Sequence, residues 1–186
     1  EGIPAATVVI FRNAPQGGPP QVLMTIRSRE MVFAGGMAVF PGGRVDASDR
    51  ELADRLELPD SDEAAHRIAA IRETLEETGL DLFRQGEYQA RLSDLLTRHH
   101  SRWSPMVVTP HVFAWQGDHR VSLNHEAQQG IWIPLDYLSN PAHRSTLQIR
   151  TPVGKMTFPC CRYHGYCIWG LSYSMLQEFL RKRGEG

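Results

Sequence analysis

Residues 71–80 read Ile71-Arg72-Glu73-Thr74-Leu75-Glu76-Glu77-Thr78-Gly79-Leu80, and the rest of the chain is best read outward from them. Glu73, Glu76 and Glu77 stand at i, i+3 and i+4, so on a helix three carboxylates share one face within about one turn. Upstream, Ala65, Ile68, Ala69, Ile71, Leu75 and Leu80 recur at spacings near three and four. Asp60 or Asp62 can cap the first turn and Gly79 can end the last, so the spacing predicts an amphipathic helix over 63–78. Three glutamates on one face repel one another unless positive charge lies among them. Oxygen donors of this kind suit a hard cation, Mg2+ or Mn2+, which keeps several of its waters and bridges to phosphate oxygens. Arg72, beside Glu73 and four residues before Glu76, can hold a carboxylate in place through a forked hydrogen bond. The competing reading is an ordinary solvated acidic face.

The glutamates belong to a wider imbalance. The chain's 186 residues include 20 Lys+Arg and 21 Asp+Glu, a formal net charge of -1, with 41% apolar residues. That balance excludes a general polyanion binder and a disordered acidic chain. Residues 44–81 nevertheless hold 12 of the 21 acids against five arginines. The length fits one globular domain over 1–186. No apolar run approaches the roughly 20 residues of a membrane helix, and EGIPAATVVIF at the start has neither a basic opening nor a signal-length apolar stretch. A soluble, cytoplasmic protein is expected, and a start at Glu1 rather than Met leads to the expectation of some processing or trimming. Cys160, Cys161 and Cys167 are an odd number in a chain long enough to do without staples, which favours reduced thiols.

Ala6–Phe11 and Val22–Ile26 are β-rich runs separated by a Gly/Pro-rich turn, and they read as neighbouring antiparallel strands. Met37–Phe40 is a short apolar run, after which Pro41-Gly42-Gly43 predicts a tight turn with exposed backbone. That turn can bring a backbone carbonyl to the same cation as the glutamates. Residues 44–62 read as a charged surface excursion with a short helix near 49–56. Further elements are a helix at 87–98, a strand at 107–115, a strand or bend at 131–133, one or two strands between 145 and 160, and a final helix from about 170 to 183. The fold class is α/β.

FPGGRVD followed by RETLEETGL resembles the signature of the Nudix hydrolases, whose box runs G, five residues, E, seven residues, then R-E-apolar-x-E-E-x-G-apolar. Arg72, Glu73, Glu76, Glu77, Gly79 and Leu80 match its second half, with Thr74 in a usually aliphatic place. The resemblance implies an α/β/α sandwich with a central mixed sheet and a glycine-loop/helix catalytic motif. It also implies that Glu73, Glu76 and Glu77 hold Mg2+ or Mn2+, that the carbonyl of Gly42 completes the metal site, and that Glu73 deprotonates the attacking water with Arg72 positioning it. The activity implied is hydrolysis of a nucleoside diphosphate linked to another moiety. The first half departs: Gly43 to Arg72 is 29 residues, an insertion of 15 relative to the box. The position eight before Arg72 is Ala64, and neighbouring Glu63 points about 100° away on a helix. The first box glutamate is therefore unassigned.

A second resemblance concerns substrate. LMTIRSREMVFAGGMAVFPGG is similar in spacing to the segment upstream of the box in coenzyme A diphosphatases, with Val32 where those enzymes carry a second arginine. NHEAQQGIWIPLDYL resembles their later acidic loop and strand, which makes Glu126 a supplementary metal ligand or alternative base. CIWGLSYSMLQEFL resembles the start of their last helix, and the long insertion is similar to that of the more divergent peroxisomal-type relatives. The resemblance implies cleavage of coenzyme A or acyl-CoA to 3′,5′-ADP and (acyl-)4′-phosphopantetheine, with Arg27 and Arg29 as phosphate-binding candidates. ADP-ribose, NAD(H), nucleotide sugars and (d)NTPs are the rival substrates, and a non-catalytic regulatory domain is the rival to an enzyme. The expected partner is a small diphosphate, not a nucleic acid polymer or a membrane; homodimers are common in the family. A zinc site at Cys160, Cys161, His164 and Cys167 is disfavoured because adjacent cysteines on a strand face opposite ways.

Overall fold

The structure, a computed structural model, describes residues 2–27, 36–97, 105–117 and 130–184. In chain order the strands are β1 (Ile3–Arg12), β2 (Gln21–Arg27), β3 (Met37–Val39), β4 (Gly42–Arg44), β5 (Gly86–Arg91), β6 (Leu95–Thr97), β7 (Met106–Trp115), β8 (Gly130–Pro134), β9 (Arg144–Thr151), β10 (Gly154–Tyr163) and β11 (Tyr166–Trp169). The helices are α1 (Ala47–Arg55), α2 (Ser61–Thr78), α3 (Leu82–Gln85), α4 (Leu135–Ser139) and α5 (Gly170–Lys182). The fold class is α/β with mixed strand pairing, as the sequence predicts.

The chain divides into two compact units, Glu1–Phe11 with Pro41–Ala127, and Arg12–Phe40 with Gln128–Gly186. In the first, β7 runs parallel to β1, while β5 and β6 pair antiparallel with successive lengths of its other edge. Val8, Val9, Ile10, Val112 and Phe113 are all buried, the near-continuous apolar run that a strand covered on both faces requires. β4 adds antiparallel to β1 through Thr7↔Gly42. In the second unit β2 pairs antiparallel with β3 and β8, and β11 joins β3 to the long β9–β10 hairpin. Trp169, the residue before α5, donates its indole N–H to Met37 Sδ at 3.2 Å, and Gly170 opens the helix at φ 63°, a conformation that favours glycine. Cys160, Cys161 and Cys167 are buried free thiols.

Three expectations are corrected. The expected helix at 87–98 is instead strands β5 and β6 over its described residues, 87–97. Their inward positions alternate at Tyr88, Ala90 and Leu92, and the open edge of β7 supplies a backbone ladder that outweighs the helix-like spacing of the same residues. Pro41-Gly42-Gly43 is not an exposed turn: Pro41 is buried and the glycines enter β4. The short helix in the acidic excursion begins at Ala47, two residues earlier than expected, and it is not a mere surface loop. Its Ala53 packs with Ala64 and Ala65 of α2, flanked by Val45 and Ile68.

No helix among the described residues is long and apolar enough to cross a membrane.

Candidate active site

The first unit holds the site because small residues let α2 lie close to its neighbours. Ala64, Ala65, Ala69, Ala70, Thr74 and Thr78 are its buried residues. Asp60 is the N-cap, its carboxylate accepting from Glu63 N at 3.3 Å, and Gly79 ends the helix at φ 74° with its N–H bonded to Leu75 O. The helix thus begins two residues before the predicted start and ends where predicted. Thr74, in the usually aliphatic box position, is fully buried, and its carbonyl accepts from the Thr78 hydroxyl at 2.6 Å.

β4 runs beside the carboxylate end of this helix. The Gly42 amide donates to Glu77 Oε2 at 3.4 Å. A Cβ on Gly42 would overlap Ala6 O and stand 2.9 Å from Thr7 Cα, and a Cβ on Gly43 would overlap the Glu73 carboxylate. Gly42 is therefore required by its close approach to the backbone of β1, whereas a side chain at Gly43 would displace the end of the Glu73 side chain.

Arg72 organises the cluster. Its guanidinium donates from Nε to Asp49 Oδ1 at 3.0 Å and from Nη2 to Asp49 Oδ2 at 2.9 Å, a forked pair. Nη2 also donates to Arg44 O at 3.1 Å, and Nη1 donates to Glu73 Oε1 at 2.9 Å. Glu76 Oε1 is 3.5 Å from Nη1 and Asp46 Oδ2 is 3.3 Å from Nη2. Asp49 is 2% exposed, and its Oδ2 further accepts from Asp46 N at 2.8 Å at the start of α1. The bond to Asp49 is the largest of the influences raising the Arg72 pKa above its ordinary value. Burial pushes the Glu73 carboxyl upward, against the bond and charge of Arg72, which lower it.

Asp49 is the site residue that sequence reasoning missed. Counted back from Arg72, the first box acid falls on Ala64; counted forward from Gly43, five residues intervene before Asp49, the box spacing. The 15 additional residues therefore lie after this acid, not before it, and they comprise the end of α1, the turn into α2 and the first turn of α2. The forward count, with Asp allowed for Glu, was the signal available.

The donor chemistry of Glu73, Glu76 and Glu77 suits a hard divalent cation: all their side-chain donors are carboxylate oxygens, and burial disfavours the charged form of Glu73 unless positive charge stands near it. Among the described residues no three acidic, His or Cys side chains converge on one point, since Glu73 and Glu76 both turn toward Arg72. Arg27 closes β2 in the second unit, exposed and opposite Met37. Arg29 and Glu126 lie outside the described residues.

A second polar group lies where α2 meets the sheet. His111 on β7 is wholly buried, with Nδ1 3.4 Å from the Tyr88 hydroxyl and 4.0 Å from Glu63 Oε1. Burial holds its pKa down to about 4, partly offset by Glu63, against about 6.5 in an unfolded chain. Because the folded value is the lower, the unfolded state takes the proton first. Stability from this group is complete above about pH 6.5 and is lost as pH falls toward 4, at up to about 1.4 kcal/mol per pH unit. His111→Phe is expected to flatten that stretch of a urea-stability profile; an unchanged slope would show that His111 does not carry it.

Solved structures similar to this chain share its fold. A C. elegans Ap4A hydrolase binary complex is 20% identical over 99% of each chain, with a TM-score of 0.57. A NUDIX hydrolase from Alicyclobacillus acidocaldarius is 22% identical over 75% of this chain and 82% of its own, with a TM-score of 0.54. RenU, a Nudix hydrolase from M. smegmatis, is 18% identical over 74% and 73%, with a TM-score of 0.51. No curated protein matches the chain. Residues 3–150 match the NUDIX domain, a span that contains β4, α2 and the Arg72 network; the chain belongs to that family and is an enzyme of Nudix-type diphosphate hydrolysis.

Proposed function

We propose that the chain hydrolyses a nucleoside diphosphate linked to another moiety, with ADP-ribose, NAD(H), nucleotide sugars and (d)NTPs as the substrate class. The observation that carries the reading is the α2 carboxylate face, with Glu73 held by Arg72 against Gly43 and Glu77 bonded to the Gly42 amide. Glu73, Glu76, Glu77, Glu126 and the Gly42 carbonyl would hold Mg2+ or Mn2+. Such a cation, when bound, neutralises charge developing on the diphosphate oxygens and makes water more acidic. Glu73 accepts the proton of the attacking water, with Glu126 as the alternative base. The water oxygen bonds to one phosphorus, the bridging P–O bond breaks, and two phosphate products leave. Arg72 acts through Glu73 as a positioning residue. Arg27 and Arg29 bind substrate phosphate, and residues 1–186, the excursion at 44–62 included, work as one catalytic domain.

Coenzyme A and acyl-CoA are the second reading, favoured by LMTIRSREMVFAGGMAVFPGG and by the Ile168-Trp169-Gly170 entry to α5. Val32 weighs against it, because an arginine there would add a phosphate contact. The test is turnover by purified protein with Mg2+ or Mn2+ on ADP-ribose, NADH, a nucleotide sugar, dATP, coenzyme A and acyl-CoA. The highest kcat/KM is expected among the first four. Fastest cleavage of coenzyme A would replace the main reading by the second, and no cleavage of any substrate by folded protein would overturn both.

A further inference from the structure

The near-zero net charge of the chain averages over a second compact unit, Arg12–Phe40 with Gln128–Gly186, that carries 10 Lys+Arg against 4 acidic residues. No Asp or Glu occurs between Asp136 and Glu178, and the β9–β10 hairpin lies inside that span. Its register fixes which side chains share a face. Arg144 stands opposite Cys161, Thr146 opposite Pro159, Gln148 opposite Thr157 and Arg150 opposite Lys155. Alternate residues of a strand point the same way, so these four pairs line one face. Leu147, Ile149, Met156 and Phe158 belong to the other. Every member of the first face except Cys161 is exposed. Arg144 and Arg150 stand six residues apart, about 20 Å along β9. None of Arg144, Arg150 and Lys155 forms an ion pair with a described carboxylate. Arg150 and Lys155 are like charges directly across a strand pair, an arrangement that destabilises the hairpin unless an anion covers it.

What separates the cations is hydrogen-bonding rather than apolar: the hydroxyls of Thr146 and Thr157 and the amide of Gln148. Aromatic rings close the Arg144 end. Tyr163, two residues beyond Cys161 and so on the same face, packs edge-on against Tyr137 with ring centroids 5.0 Å apart, and Tyr137 stacks on His143 at 3.6 Å. Arg, Lys, Thr and Gln side chains bind phosphate and sugar, and aromatic rings beside a cationic track accept the bases of an unpaired strand. We infer that this face of the β9–β10 hairpin binds single-stranded nucleic acid. Arg144, Arg150 and Lys155 take phosphates, the hydroxyls and amide between them hydrogen-bond the sugar–phosphate backbone, and a base stacks at His143. The strand's negative charge relieves the Arg150/Lys155 repulsion. An anionic membrane would meet the same cations, but the hairpin tip offers a bilayer only Pro152 and Val153 beside them, not the apolar face that lipid binding needs. The α2 carboxylates lie in the other unit, and this reading does not depend on their chemistry.

The test is fluorescence anisotropy of a labelled oligouridylate and a labelled oligothymidylate, each of about 20 nucleotides, titrated with the full chain in EDTA. The chelator keeps divalent cations from drawing the strand to the α2 carboxylates. A Kd below about 100 µM is expected at about 50 mM salt, with log Kobs falling against log salt at a slope near about -2, as three phosphate contacts on a single strand require. R150E/K155E is expected to weaken binding more than about tenfold and to bring the slope to about -0.7. R150E alone sets a carboxylate opposite Lys155, so affinity should fall about fivefold or more while the melting point holds or rises. R162E makes the same charge change on the other face of the hairpin and should leave affinity within about twofold of wild type. H143A is expected to weaken binding about fivefold. No binding at about 100 µM protein, equal losses from R150E and R162E, a salt slope indifferent to R150E/K155E, or affinity indifferent to H143A would overturn the proposal. So would tighter binding to phosphatidylserine/phosphatidylcholine vesicles than to either oligonucleotide.

Discussion

Asp49→Ala is expected to lower both stability and turnover, although Asp49 is distant in sequence from the catalytic helix. The variant removes both acceptors of the Arg72 fork at 2.9 and 3.0 Å and the acceptor for Asp46 N at the start of α1. Breaking a buried ion pair by deleting one partner costs about 3–5 kcal/mol. Arg72 remains 26% exposed and keeps Glu73, so a value near the lower end, about 3 kcal/mol, is expected. For a chain of this size that corresponds to a melting point lowered by roughly 6–12 °C. Asp62→Asn is the contrast: its pair with Arg50 is 2.6 Å long, but Asp62 is 83% exposed, and a change below about 1 kcal/mol is expected. Turnover of Asp49→Ala is expected to fall even below its melting point, because an Arg72 that keeps Glu73 but has lost the Asp49 fork no longer holds that carboxylate in one orientation. Asp49→Glu, which keeps the carboxylate, should recover part of both losses. Equal melting points for Asp49→Ala and Asp62→Asn would refute the bracing role.

Glu73→Gln is expected to reduce kcat by roughly 10^2–10^4-fold, the range associated with loss of a general base. The amide keeps an oxygen for the Arg72 N–H but cannot take the proton of water. Burial disfavours the charge on Glu73, so removing that charge should leave the melting point nearly unchanged. Kinetics and thermal melts on one preparation separate this variant from Asp49→Ala, which loses both properties. A Glu73→Gln protein with more than about a tenth of wild-type kcat would move the base elsewhere, with Glu126 next in line.

Much of this arrangement was legible in the sequence because its physics is local. The i, i+3, i+4 spacing of Glu73, Glu76 and Glu77 and the terminating Gly79 define α2 without reference to any other element. The apolar runs of β1 and β7 similarly require burial wherever they lie. What was not legible depends on distant partners. Asp49 is 23 residues from Arg72, so only the folded packing of α1 on α2 shows that an acid in the charged excursion neutralises the guanidinium. Residues 87–98 satisfy a helical spacing as well as a strand alternation, and the free edge of β7 decides between them. Pro41-Gly42-Gly43 reads as a turn until Ala6, Thr7 and Glu73 are seen to occupy the space that side chains would fill. The acidic run is accordingly not one feature: Asp49 belongs to the site, Ala53 anchors its helix, and Glu51, Asp54, Glu57, Asp60 and Asp62 face outward.

The central claim is that the α2 glutamates direct water onto a diphosphate. Phosphorus NMR of the products formed in 18O-enriched water, with Mn2+ or Mg2+ and the best substrate of the panel, tests it most directly. One 18O in one phosphate product per turnover is predicted, with formation abolished by chelator and reduced by Glu73→Gln in protein of unchanged melting point. Product formation that survives chelator and Glu73→Gln, or that carries no label, would contradict it.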